Sequence, residues 1–248
     1  MPRSSDTLLA FGIVAAALLA WEVGVRLTGT PVYILPAPSR VVATLAANPA
    51  AYAQASAVTL GEALGGLLWG TLGGAGAAAL LSLWPRLERG VMTLAILVKS
   101  TPLVAIAPLL TIWLGFGVLP KVLITALLTF FPVLVNVLSG LQSAPLPLVE
   151  TLRSWDASRA EIFWHVRVPN AAPYIFAALK VAGPLSLIGA VVAEWTGASG
   201  GLGRTMWLAY TNLNLPYLFA AVFILAAAGM TFYGAIVAAE KRVVFWMK

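Results

Sequence analysis

The chain has no cysteine and a single histidine among its 248 residues. The first absence excludes disulfides, thiolate catalysis and cysteine-based metal sites. The lone histidine, His165, supports no metal site by itself and reads as a surface residue. Charge is scarce too: Asp, Glu, Lys and Arg make up 10% of the chain, where a soluble domain carries about 25%. No G-x-x-x-x-G-K-[ST] string occurs, so the chain has no P-loop with which to bind ATP. Paired carboxylates, a histidine cluster and a Ser-His arrangement on one side are also missing, which argues against an integral membrane enzyme.

What the chain has is hydrocarbon. Hydrophobic residues are 60% of it and the mean hydropathy is +0.93, the signature of an all-α integral membrane protein with little mass outside the bilayer. The net charge of +6 does not point to nucleic acid, because no aromatic-basic stripe accompanies it. The basic residues sit instead at the ends of apolar runs, and the partner they imply is the lipid bilayer.

A bilayer core takes about 20 apolar residues per helix. Six segments meet that length: residues 8–27, 59–84, 90–115, 121–141, 173–195 and 215–239. The first resembles a cleaved signal peptide, but its apolar character resumes after Trp21 and it reads as a retained anchor. A stiff link from Pro31 to Pro38 leads into residues 39–52, a short interfacial helix with Val41, Val42 and Leu45 along one edge. Arg3, Arg86, Arg89, Arg153, Arg159, Arg167, Lys241, Arg242 and Lys248 fall on one side of the membrane; Arg26, Arg40, Lys121 and Arg204 fall on the other. The excess places both termini and the polar island in the cytoplasm of a multi-pass membrane protein. Residues 1–248 read as one transmembrane domain. Glycines 66, 70 and 74 give the second span a small-residue stripe for close helix contact within the subunit. Pro102, Pro108 and Pro184 are expected to interrupt spans, with Pro132 inside the fourth.

Intramembrane ionisable and polar residues are candidates for a transport pathway. Lys99 is nearest the middle of a span, just before Pro102, and either faces a pathway or makes a structural hydrogen bond. Ser100 and Asn136 could add polar pathway contacts. Glu194 is a further candidate, although its place at the outer end of the fifth span favours interfacial solvation. Glu22 and Glu62 are within reach of an interface, and Lys180 can snorkel toward the cytoplasmic face.

The polar island at residues 149–175, VETLRSWDASRAEIFWHVRVPNAAPYI, is far longer than a turn between spans requires. Pro145 and Pro147 precede a short helix at residues 148–155; a second helix spans 159–168 and stops at Pro169. Ser158-Arg-Ala-Glu161 is a capping box. Asp156 falls at the turn between the helices, where left-handed geometry is often needed. Ile162, Phe163 and Val166 make one side of the second helix apolar. Physics alone leaves two readings level: an amphipathic hairpin resting on lipid headgroups, and a docking element for a cytoplasmic partner.

The string LRSWDASRAEIFWHVRVPNAAPY at residues 152–174 resembles the cytoplasmic coupling loop of binding-protein-dependent ABC importer permeases, with Ala157, Ser158, Ile162, Phe163, Val166, Pro169, Pro173 and Tyr174 at the pattern positions. The usual turn glycine is replaced by Asp156. The resemblance extends along the chain. Pro102-Leu-Val-Ala-Ile-Ala-Pro108, Phe131-Pro132-Val-Leu-Val-Asn136, and Ala193-Glu194-Trp195 followed by Gly200-Gly-Leu-Gly203 are similar to the nitrate/sulfonate/taurine branch. It implies a type I ABC importer permease-like (MetI-like) bundle of about six helices, with coupling helices at residues 145–172 and no catalytic residues of its own. It implies that Trp155, Asp156, Ala157, Ser158, Arg159, Glu161 and Phe163 form the ATPase-coupling surface; Lys99, Ser100, Pro102, Asn136 and Glu194 stand as pathway candidates on their own place in the spans. The implied partners are two ATP-binding subunits, which would hold ATP and Mg, an extracytoplasmic solute-binding protein, and a second copy of the permease. The implied cargo is a thiamine-type pyrimidine precursor or related vitamin, with sulfonates, taurine and nitrate as alternatives. An ion-coupled secondary transporter is the rival class; it would carry inverted repeats and midplane acids, and no clear repeat is present.

Overall fold

A long apolar run can satisfy its backbone in hydrocarbon only by closing every hydrogen bond within itself, and here each run is helical. The structure, a computed structural model, describes residues 4–247; Arg3 and Lys248, which enter the charge asymmetry above, lie outside the described residues. The helices are α1 (Ser4–Thr28), α2 (Pro38–Ala47), α3 (Pro49–Leu83), α4 (Glu88–Ser100), α5 (Leu103–Leu114), α6 (Val118–Gln142), α7 (Leu146–Ser154), α8 (Arg159–Ile162), α9 (Val168–Glu194), α10 (Leu202–Thr211) and α11 (Leu215–Val243). Among the described residues there is no strand. Among the described residues four helices are long and apolar enough to cross a membrane, α3, α6, the continuous run through α8 and α9, and α11, and the bent pair α4–α5 brings the number to five. The expected first span coincides with α1, whose 25 residues rise about 37 Å.

Helix α6 packs most extensively, against α3 on one side and α9 on the other, and these three form the centre of the bundle. The glycine stripe of α3 lies against α6. A Cβ at Gly70 would stand 2.6 Å from the Ala126 carbonyl and one at Gly74 2.7 Å from that of Phe130. Any side chain there would push the two backbones apart. The stripe therefore serves a contact inside the subunit. Around it Ala78, Leu81, Val133, Leu134, Val137 and Phe163 make up the largest apolar cluster.

Three prolines redraw the expected boundaries. Pro49 ends the interfacial helix early: α2 stops at Ala47, Asn48 leaves helical geometry at φ −130°, and residues 49–58 extend the second span instead. Pro102 breaks residues 90–115, expected as one span, into α4 and α5 at an angle of 92°. The cause is local, since Thr101 is pushed to ψ 128° by the proline that follows and Pro102 itself is extended. Pro169, by contrast, does not stop the second island helix. The turn before it, Phe163–Arg167, widens to a π-helix, which absorbs a residue that cannot donate, and the chain runs on as a single helix from Arg159 to Glu194. Pro108 and Pro184 lie inside α5 and α9 without interrupting them.

Candidate functional site

The island is an exposed turn between the short helix α7 and the start of the long α8–α9 run, fixed at both ends. Helix α7 closes with the amide of Asp156 donating to the Arg153 carbonyl (3.1 Å) and that of Ala157 to the Leu152 carbonyl (3.0 Å), the paired bonds of a Schellman ending. Asp156 takes the left-handed position, φ +58°, which a glycine usually fills. Asp156 thus closes the turn in left-handed geometry without a glycine. Helix α8 opens with the capping box. The Ser158 hydroxyl accepts from the Glu161 amide (3.2 Å), and the Ser158 amide donates to the Glu161 carboxylate (2.7 Å). That backbone donor, helped by the Ser158 hydroxyl, holds the Glu161 carboxyl below its usual range.

Beneath the turn Val149, Ile162 and Val166 are buried together, with Leu152 and Ala157 against them. Trp155 at the tip is 74% exposed, and Asp156, Ser158, Arg159 and Glu161 are exposed beside it. Phe163, expected on the coupling surface, is 8% exposed and faces the bundle core. It anchors the loop to α3 and α6 and presents nothing to a partner. Two further ties escaped the sequence reading. Arg167 donates to the Ser82 carbonyl at the end of α3 (3.0 Å), and Asn170 donates to the Gly140 carbonyl (3.1 Å) and the Ser143 hydroxyl (2.9 Å) on α6. The only sequence signal for these is that both residues are polar one turn or less from Pro169.

The pathway candidates do not form one group. Lys99, Ser100 and Pro102 come together at the α4–α5 break, exposed in the single chain, with the Lys99 ammonium 4.4 Å from the centre of the Phe131 ring. Asn136 is half-buried and donates to the Pro132 carbonyl of its own helix (2.8 Å). Glu194 is neither solvated at an interface nor open to a pathway: it is fully buried. Its carboxylate accepts from the Thr59 hydroxyl (2.6 Å) and from the amides of Gly203 and Arg204, while Leu202 donates to Thr59 (2.7 Å). Residues of α3 and α9 therefore cap α10, whose own N-cap, Gly201, has no side chain to do so. A Cβ on Gly201 would overlap the Glu194 carboxylate. This is why small residues follow the Ala193-Glu194-Trp195 string.

Two other charged residues change place. Glu62 and Lys121, read as lying at an interface, form a buried ion pair at 3.1 Å between α3 and α6. Lys180 pairs at 2.7 Å with Glu240 of α11, beside Lys241 and Arg242 in the last turn of that helix.

Residues 70–245 match the family described as the binding-protein-dependent transport system inner membrane component. The chain belongs to this family. Over its full length this permease is 33% identical to the formylaminopyrimidine transport permease protein ThiX of Halalkalibacterium halodurans, covering 99% of that protein. It is 32% identical to the riboflavin transport system permease protein RibX of Chloroflexus aurantiacus, over 92% of this chain and 86% of that one. It is 28% identical to the taurine transport system permease protein TauC of Escherichia coli, over 99% and 92%. Among solved structures, a chain of the inward-facing MetNI methionine ABC transporter superposes with a TM-score of 0.67 at 20% identity, over 75% of this permease and 93% of that chain. An amino acid ABC transporter with histidines gives 0.66 at 19%, over 82% and 98%. These two establish the fold of the permease bundle. The permease is a multi-pass membrane subunit of an ABC importer, a class that works with ATPase and binding-protein partners.

Proposed function

We propose that two copies of this permease line the pathway of an importer for a small nitrogen heterocycle, a thiamine-type pyrimidine precursor or related vitamin. Two ATP-binding subunits holding ATP and Mg dock on the loop tip at Trp155, Asp156, Ala157, Ser158, Arg159 and Glu161, and an extracytoplasmic binding protein delivers the solute. The bundle stands in the inner membrane with both termini and the island in the cytoplasm. The observation that carries the coupling role is the build of the island: a turn locked at both helix ends, buried beneath, and open only at its tip. A docking element must transmit force, and this one has its freedom removed. The cargo rests on the relatives named for formylaminopyrimidine and riboflavin, at 33% and 32% identity; sulfonates, taurine and nitrate are the alternatives. Lys99 at the α4–α5 break faces the pathway in this reading.

The test is in the reconstituted transporter. Arg159→Glu and Ala157→Trp are expected to leave ATP hydrolysis running while solute uptake falls at least tenfold. Unchanged coupling in both variants means that the island is a hairpin lying on lipid. Titration of the cognate binding protein with formylaminopyrimidine and with taurine decides the cargo.

A further inference from the structure

The arginines of the island have no acidic partner among the described residues of this chain. Among the described residues the ion pairs are Arg26–Glu22, Lys121–Glu62 and Lys180–Glu240, and none involves Arg153, Arg159 or Arg167. Yet these three line one cavity of about 260 Å³, between the coupling loop and the end of α3. No carboxylate is on its wall. Glu161 is held in the capping box and Glu88 accepts from Gln142. Arg167 is fixed against the wall by its bond to the Ser82 carbonyl, and this is the one hydrogen bond made by the three guanidinium groups among the described residues. Buried Ile162 and Phe163 close the apolar side.

Three like charges around a shared space repel one another, and an anion between them turns that repulsion into attraction. Guanidinium forks match the paired oxygens of a phosphate better than any other common anion. The cavity also lies where α3 leaves its apolar stretch, the depth at which basic pockets between helix ends meet lipid phosphates. We propose that this cavity binds a phosphate-bearing anion, clamped between the loop and α3. An anionic phospholipid headgroup and free phosphate offer the same chemistry.

The experiment uses the full-length permease in nanodiscs of phosphatidylcholine with a minor fraction of phosphatidylglycerol, and native mass spectrometry to count retained anionic lipid. Each arginine removed is expected to weaken retention roughly fivefold, so Arg153→Gln with Arg159→Gln loses roughly 25-fold. The Arg153→Lys and Arg159→Lys pair keeps the charge and most of the binding, which separates loss of the site from loss of the fold. Arg86→Gln with Arg89→Gln, on the neighbouring turn, leaves retention unchanged. In a second arm, discs of phosphatidylcholine alone are titrated with inorganic phosphate at constant ionic strength. Binding there with the same arginine dependence, and no preference for phosphatidylglycerol, assigns the site to free phosphate. Absence of binding in both arms, or an equal loss in the Arg86 and Arg89 control, overturns the proposal.

Discussion

Helices α8 and α10 both begin with amide groups that their own turns cannot satisfy, and they solve the problem from opposite sources. For α8 the donors and acceptors are Ser158 and Glu161, three residues apart and exposed. For α10 they are Thr59 on α3 and Glu194 on α9, buried and brought in by the packing of the whole bundle. The first arrangement can form before any tertiary structure exists. The second exists only once α3, α9 and α10 have met, so it couples helix formation to assembly. Energy follows the same division. An exposed cap competes with water at every step, whereas a buried one has no substitute when a partner is lost.

The sharpest way to break the comparison is Glu194→Ala. It orphans the amides of Gly203 and Arg204 in a dry site, at about 1–3 kcal/mol each. Unfolding in mixed micelles should shift accordingly, and hydrogen exchange at residues 202–205 should rise together. Loss confined to one amide would mean the cap is not shared. Ser158→Ala is expected to cost about 1 kcal/mol, with faster exchange limited to α8 and no change at α10. If α10 responded as strongly, the two caps would not be independent. The smallest effect is one of pH. The Glu161 carboxyl is lowered in the folded loop by the Ser158 donors, so its contribution is fully present above the unfolded value of about 4.3 and is lost as pH falls through the lower folded value. Protection of the Ser158 amide, which donates to that carboxylate, should therefore fall relative to its intrinsic exchange rate only below about pH 4, and Glu161→Gln should flatten that dependence.

What could be read from the sequence divides along the same line. The apolar spans need no partner to be recognised, and the capping box and the Asp156 turn need only their neighbours, so all of these were legible. The cap of α10 spans 135 residues between Thr59 and Glu194, and nothing in the local pattern distinguishes a buried Glu194 from a solvated one. Glu62 and Lys121 were misplaced for the same reason. Phe163 had the right apolar face, but the sequence could not say whether that face met lipid, a partner or the bundle. The prolines erred in both directions. Pro49 ends a helix expected to run on to Tyr52 and Pro169 is absorbed by one widened turn where a stop was expected, while Pro102 breaks its span as expected because Thr101 before it is extended.

The widened turn has a mechanical consequence. Because Pro169 does not divide the chain, α8 and α9 form one 36-residue rod, about 54 Å from end to end. One end carries the exposed turn with Trp155 and Asp156; the other carries Glu194, clasped to the start of α10. In the importer proposed above, a push on the exposed turn would be carried along this unbroken rod to Glu194 and the start of α10, so that one helix would serve as a shared axle for its two ends.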